Sequence, residues 1–453
     1  MQDEQEIYDA IVIGGGPAGA TAALAMARRD LRVIVLEGAA FPRFHIGESF
    51  LPRSLTQIRA LGLEPRLRRI PQVLKLGAEF VIGHGREAPT DYWFTQCFDR
   101  FESETFNIER APFDSMLLDA AAEAGAEVRA PARVRSIDRL RDGDVRITTE
   151  DRTFRGRYVV DASGQSTVIG RRLKTRRVLP GRRMIAYFGH AEGVRHREGV
   201  VRGFPTVALC EDGWFWLIPI DAKRTSVGLV LEDAAARRAP VPAQRLLQWA
   251  VDRCPVMAER CAGARLPEQN NVTADFSYRC EPFAGPGYFL IGDAATFVDP
   301  VFSTGVCLGM MSGEHVAADI DAILRRGADP DHVRRRYIRS LHDASAPFFR
   351  LVDMFYRHEF RELFLNGRGP LSVHRAVISI LTGHVFPRPD FGLRWRMNLF
   401  ALFVFLQRWI ALAPRRERFR LVPADAVAPA RGTGDADRRP EPAAVLTGTE
   451  SAS

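Results

Sequence analysis

A run of glycines set between a strand and a helix limits what this chain can fold into more than any other feature. Residues 7–13, IYDAIVI, are short, apolar and partly β-branched, and they end in GGGPAG. Ala20 to Arg29 then keep helix-forming composition until Leu31 opens a second apolar run, LRVIVLE. Strand, turn, helix and strand make a β-α-β unit, and Gly14, Gly16 and Gly19 set a GxGxxG at its turn. The first glycine allows the tight turn, the second lets backbone approach a pyrophosphate, and the third permits close helix packing. Pro17 and Ala18 lie at the helix start, where free amides attract phosphate charge. Glu37 closes the second strand eighteen residues after Gly19. A carboxylate there accepts both ribose hydroxyls of a nucleotide and repels a 2′-phosphate. A glycine turn beside a surface glutamate is the plain alternative, and the strand-turn-helix-acid register argues against it.

Two later segments, Tyr158 to Ala162 and Tyr288 to Ile291, are short and apolar, each with an acidic residue and small residues at its end. Strands that stop at a ligand end this way. The second, YFLIGDAA, offers Asp293 to a ribityl chain, which selects FAD over NAD. No second GxGxxG follows a strand, so no dedicated nicotinamide site is visible.

The fold class expected is α/β: a Rossmann-like FAD-binding fold with an inserted, mostly antiparallel substrate sheet and a helical C-terminal region. The FAD-binding part is discontinuous, covering 1–75, 107–182 and 276–330. Aromatic and β-branched segments place the substrate sheet in 76–106 and 183–275, and helical spacing fills 331–422. The tail 423–453, rich in Ala, Pro, Gly, Thr and charge, is expected to be disordered. At 453 residues, with 46% apolar and 26% charged residues, the chain has the composition of a multidomain globular protein.

The net charge of +8 is diffuse. Pairs such as Arg28-Arg29 and Arg182-Arg183 lack the interleaved aromatics of a nucleic-acid platform, so no nucleic-acid partner is expected. The six cysteines show neither metal-ligand pairs nor disulfide density, and the polar start Met1 to Glu6 is no secretory signal. No metal is expected, and a cytoplasmic location is. Within 371–413 the stretch Leu399 to Leu406 is shorter than the roughly 20 residues a spanning helix needs, and Gln407 and Arg408 interrupt it. It reads first as a packing helix. A peripheral membrane contact through 395–413, anchored by Trp395, Trp409 and flanking arginines, is the second reading.

With these residues the chain resembles the FAD oxidoreductase superfamily of aromatic hydroxylases, halogenases and geranylgeranyl reductases. The resemblance implies that Arg43 and Ser49 in FPRFHIGES, Arg110 in ERAPFD, Asp293 and Pro300 lie near the cofactor. Three further patterns resemble flavin-dependent halogenases. WFWLIP, Trp214 to Pro219, is similar to the family's WxWxIP, whose tryptophans keep the substrate from the flavin; without the family, Trp214 and Trp216 are two core residues on one strand face. FVDPVFSTG is similar to FxxPxxSxG through Phe297, Pro300, Ser303 and Gly305, and the helix opened at Thr304 and Gly305 has free amides for a halide. The same helix start faces reduced flavin in relatives that use no halide. Lys75, in VLKLGAEF, stands where halogenases carry a lysine between flavin and substrate compartments; alone it would be a solvated side chain.

The resemblance implies reduced FAD from a separate flavin reductase, a C4a-hydroperoxide attacked by chloride or bromide, and hypohalous acid relayed by Lys75 to an electron-rich ring. Tryptophan halogenases carry Glu directly before Ser-Thr-Gly, where Phe302 stands here. This is similar to the phenol and pyrrole branch, whose substrates are in several cases bound to a carrier protein. DASGQS, residues 161–166, resembles a hydroxylase segment, so an aromatic monooxygenase is the alternative. An isoprenoid reductase and a noncatalytic FAD scaffold are the others.

Overall fold

The structure is a computed structural model and describes residues 6–98, 103–179, 183–274, 277–297, 299–367, 370–385 and 389–424. The expected disorder of 423–453 lies, from residue 425 onward, outside the described residues.

Ile7–Ile13 runs parallel to Val33–Leu36 on one side and to Thr153–Asp161 on the other. Glu127–Arg129 and Tyr288–Leu290 extend the parallel sheet outward. Its strands come from separated stretches of chain, as a discontinuous nucleotide fold requires. The register places Ile13 opposite both Leu36 and Asp161, and Asp161 opposite Leu290. Gly14, Glu37, Ala162 and Ile291 therefore leave the sheet along one edge, the carboxyl edge where such sheets bind ligands.

Helix Pro17–Ala27 is made almost wholly of small residues and is buried nearly all round. It is sandwiched between the sheet and helix Gly305–Arg326, which opens where the sequence places a helix start, after Thr304. The two helices approach closely because Gly309 and Gly313 face Ala18 and Ala22. A Cβ at Gly313 would lie 2.6 Å from the Ala18 carbonyl oxygen and 3.0 Å from the Ala22 nitrogen.

The second sheet has the order 271–274, 184–192, 224–232, 213–219, 206–210, 77–82, 90–93. It is antiparallel except where Thr206–Cys210 meets Gly77–Ile82. One face packs on helices Leu246–Arg253 and Pro255–Arg260. The other carries Trp214 and Trp216 against Pro330–Phe355, His358–Leu365, Val373–Leu381 and Phe391–Gln407. One expectation is corrected. Thr105 and Phe106, expected at the end of the substrate sheet, do not join it; in strand Thr105–Ile108 they pair with Gln72–Lys75 in a separate two-stranded ladder. All four residues of that strand are buried, Thr105 and Asn107 as fully as Phe106 and Ile108, so the polar-apolar alternation in its sequence marks no solvent face by which a partner could be assigned.

Since the atoms that meet a side chain at Gly313 are backbone, Gly313→Leu has to push two helices apart. A loss of about 1–3 kcal/mol or more is expected, read as a lower denaturant midpoint and a lower FAD content in the purified protein.

Candidate functional site

Gly14 has φ +101°, and a Cβ there would sit 2.4 Å from the Ala162 carbonyl oxygen. A Cβ at Gly19 would fall 1.9 Å from the Gly14 carbonyl oxygen. Only glycine closes this turn. At Gly16 the sole neighbour within 4 Å of an added Cβ is Arg43 Nη2, at 3.4 Å, so the backbone is open to a ligand beneath a guanidinium. Glu37 accepts hydrogen bonds from the Gly15 and Ala39 amides at 2.7 and 2.8 Å. A carboxylate has about four lone-pair sites, so acceptor capacity remains for ribose hydroxyls.

Arg110 is clamped to Asp114 through two bonds of 2.8 and 3.0 Å and donates to the Ile46 carbonyl at 2.7 Å. Asp293 has no such partner. No hydrogen bond satisfies its carboxyl among the described residues, and burial pushes its pKa up to about 7 against the pull of Arg110. Among the described residues, an added Cβ at Gly305 would meet the Asp293 carboxyl alone, at 3.5 Å. Ser49 Oγ is buried without a partner as well. An open glycine turn, a ribose-type carboxylate, an unsatisfied Asp293 and an unsatisfied Ser49 hydroxyl fit the pyrophosphate, ribose and ribityl groups of FAD. Asp161, by contrast, is used up locally. It accepts from Ser163 N, Ser163 Oγ and Ile169 N, so the DASGQS carboxylate braces its own loop.

Segment 43–51 connects this side of the molecule to Lys75. Arg43 reaches over the glycine turn, Glu48 receives a 2.9 Å contact from His190 of the second sheet, and Leu51 packs against Cys307 and Met311. Between them the Phe50 carbonyl accepts a 2.8 Å hydrogen bond from Lys75 Nζ. Lys75 is 3% exposed, has Phe94 beneath it at 5.3 Å, and has no carboxylate partner among the described residues. Burial pulls its pKa down to about 7, so ammonium and amine are both populated near neutrality.

Past Pro300, Ser303 takes a left-handed φ of +55° and turns the chain into helix Gly305–Arg326, with Thr304 as its N-cap. Trp214 and Trp216 lie on one strand face with ring centroids 5.6 Å apart. Both are buried in the core beneath the C-terminal helices. Their link to the surface runs through Phe188, 6.1 Å from Trp216, and Phe44, 6.4 Å from Phe188 and partly exposed. Trp216 lies across Gly228, where a Cβ would be 2.1 Å from the ring.

Several residues here carried no assignable role in the sequence. Trp214 Nε1 donates to Tyr356 Oη at 3.1 Å, and Tyr356 donates to Asp299. This chain ties the tryptophan strand to the loop before Ser303 through a tyrosine far away in sequence. Asp299 was visible within FVDPVFSTG, but burial, which pushes its pKa up to about 6, was not. Phe44, Glu48, Phe188 and His190 belong to ordinary strand and loop stretches, with no local signal.

Asp293 gives a pH-dependent test. A carboxyl raised from 3.8 to about 7 loses stability for the fold as pH climbs through that window, because the unfolded chain releases its proton first. Asp293→Asn is expected to stabilise the FAD-free protein at pH 8 by up to about 4 kcal/mol. It should have little effect below pH 4 and should weaken FAD retention at both pH values. Denaturant melts and flavin absorbance read the two effects separately.

The FAD binding domain family matches residues 7–340. Similar curated proteins are flavin-dependent halogenase armH1 of Armillaria mellea, 32% identical over 70% of this chain and 65% of its own length, and tryptophan 2-halogenase of Chondromyces crocatus, 30% identical over 78% and 68%. A 1H-pyrrole-2-carbonyl-(peptidyl-carrier protein) brominase of Pseudoalteromonas luteoviolacea is 32% identical over 69% of this chain and 77% of its own length. The chain thus spans slightly under two thirds of armH1 and more of the other two. The solved flavin-dependent brominase Bmp2 superposes with a TM-score of 0.78 at 26% identity, covering 88% of this chain and 99% of that one. With the FAD-binding family matched from the first strand into helix Pro330–Phe355, and the brominase relative matched over most of its length, the chain belongs to the flavin-dependent halogenases.

Proposed function

We propose that the protein halogenates an electron-rich phenol or pyrrole, free or attached to a carrier protein, using chloride or bromide, oxygen and FAD reduced by a separate flavin reductase. The single observation that carries this reading is Lys75, a buried lysine with no carboxylate partner among the described residues and both charge states available, held by the same segment that covers the glycine turn.

Bound reduced FAD supplies the oxygen activation that turns halide into hypohalous acid. The chain supplies position and electrostatics. Gly14, Gly16, Pro17, Ala18 and Gly19 take the pyrophosphate with Arg43 above them, Glu37 takes the adenosine ribose, and Ser49, Arg110, Asp293 and Pro300 border the ribityl and flavin side. The amides opening at Ser303, Thr304 and Gly305 hold the halide. Asp293, beside Gly305, repels it less than an ordinary aspartate would because burial keeps much of it protonated at neutral pH. Lys75 Nζ hydrogen-bonds the hypohalous acid. The ring carbon takes the halogen, the ring loses a proton, and water leaves. Trp214 and Trp216 stiffen the wall that keeps the ring from the flavin.

Phe302 favours a phenol or pyrrole. It is buried against Phe355, 5.5 Å between rings, and offers no carboxylate to an indole. The tryptophan relative supports an indole as the second reading, and the carrier-protein brominase supports a tethered pyrrole. The six cysteines, all buried and none in a disulfide, suit a reducing cytoplasm.

Lys75→Ala and Lys75→Met are expected to keep FAD binding and oxygen consumption while lowering halogenated product by about 10²-fold or more, measured by isotope pattern with bromide. Unchanged yield removes Lys75 from the mechanism. Since the native lysine is depressed below its ordinary 10.5, burying its ammonium costs most below pH 7 and the cost fades toward pH 10. Lys75→Met should therefore stabilise the fold more at pH 6 than at pH 9.

A further inference from the structure

We propose that the outward face of helix Phe391–Gln407, continued through the turn after it, docks on an anionic phospholipid surface.

The helix has two apolar faces. Leu393, Met397, Phe400 and Val404 are buried against the C-terminal helices and the tryptophan sheet. Phe391, Trp395, Leu402, Phe405 and Trp409 follow a different spacing, +4, +7, +3 and +4. At 100° per residue the four within the helix share an arc of about 80° on the opposite side, along about 21 Å, and Trp409 follows in the turn after it. All five are exposed, Phe391, Phe405 and Trp409 by 76%, 61% and 71%. Isolated exposed apolar residues are ordinary, but five on one side of a helix, with a tryptophan near each end and only the exposed Asn398, bonded to Arg350, set among them, make an interaction surface.

Charge selects the occupant. Residues 391–416 contain no Asp or Glu and five Arg. Arg394 and Arg408 are exposed on one flank of the stripe, about 60° and 100° round from its centre. Neither has a carboxylate partner among the described residues. The acids at the two ends are engaged, since Asp390 caps the helix through the Leu393 amide and Glu417 pairs with Arg86. Two copies of this face brought together would add arginines with no acid to meet them, whereas anionic headgroups take the arginines as the acyl region takes the aromatics. The contact is peripheral. Among the described residues no helix is long and apolar enough to cross a membrane, and the inner face is committed to the core.

The test uses the full-length holoprotein in co-sedimentation with two vesicle types, phosphatidylcholine alone and phosphatidylcholine mixed with phosphatidylglycerol. Binding is expected to the mixed vesicles, to weaken with added salt, and to shift tryptophan emission to the blue. Phe405→Glu and Trp409→Glu should each reduce it at least about tenfold. Arg394→Glu with Arg408→Glu should abolish the preference for anionic lipid. These side chains face outward, so FAD content and melting temperature should stay at the parent values and report that the variants are folded. Protein left in the supernatant with both vesicle types overturns the proposal. So does a concentration-dependent dimer that Phe405→Glu dissociates, which would assign the face to a second copy of the chain.

Discussion

The parallel register around Ile7–Ile13 is the constraint on which the rest of the structure rests, because it decides which residues leave the sheet together. Ile13 faces Leu36 and Asp161 in the same row, and Leu290 completes it. In a sheet buried on both faces, a one-residue slip would turn each side chain to the opposite face and disperse Gly14, Glu37 and the segment leading to Asp293. Hydrogen bonds between strands from distant parts of the chain thus set the outline of the nucleotide site before any ligand contact is made.

Segment 43–51 carries that order outward. A length of chain with little regular structure touches the glycine turn through Arg43, the Arg110 side chain through Ile46, the second sheet through Glu48, Lys75 through Phe50 and helix Gly305–Arg326 through Leu51. The carbonyls of Ile46, Glu48, Phe50 and Leu51 and the His45 and Glu48 side chains all have partners. The exceptions, Ser49 Oγ here and the Asp293 carboxyl nearby, border the proposed cofactor site. Lys75 and Asp293 show opposite charges moved the same way: neither has a salt-bridge partner among the described residues, and burial carries each toward a pKa near 7.

The nucleotide half was legible because its chemistry and its local geometry coincide. A glycine turn with φ +101° at Gly14, an acid at the end of the next strand and a helix opening after Ser303 are local demands written in adjacent residues. The paired tryptophans could be read to one face because strand periodicity is also local. The placing of Thr105 and Phe106 failed for the complementary reason, since an all-buried strand does not name its partner. Tyr356, more than fifty residues beyond Asp299, and His190, far beyond Glu48, gave no signal at all; their roles exist only where distant elements meet.

By itself the sequence determined the dinucleotide fold, the order of its pieces and the identities of the polar groups at the sheet edge, since each follows from backbone sterics or periodicity over a few residues. Tertiary structure decided the state of those groups. Lys75 became a lysine poised near neutrality only when Phe50 and Phe94 closed over it. Trp214 acquired a hydrogen-bond route to the loop before Ser303 only when the C-terminal helix brought Tyr356 across. Leu399 to Leu406 read as an apolar stretch in the sequence, and only packing settled which face of helix Phe391–Gln407 met the core and which met water. Burial is a sum over the whole chain, and no window of sequence contains it.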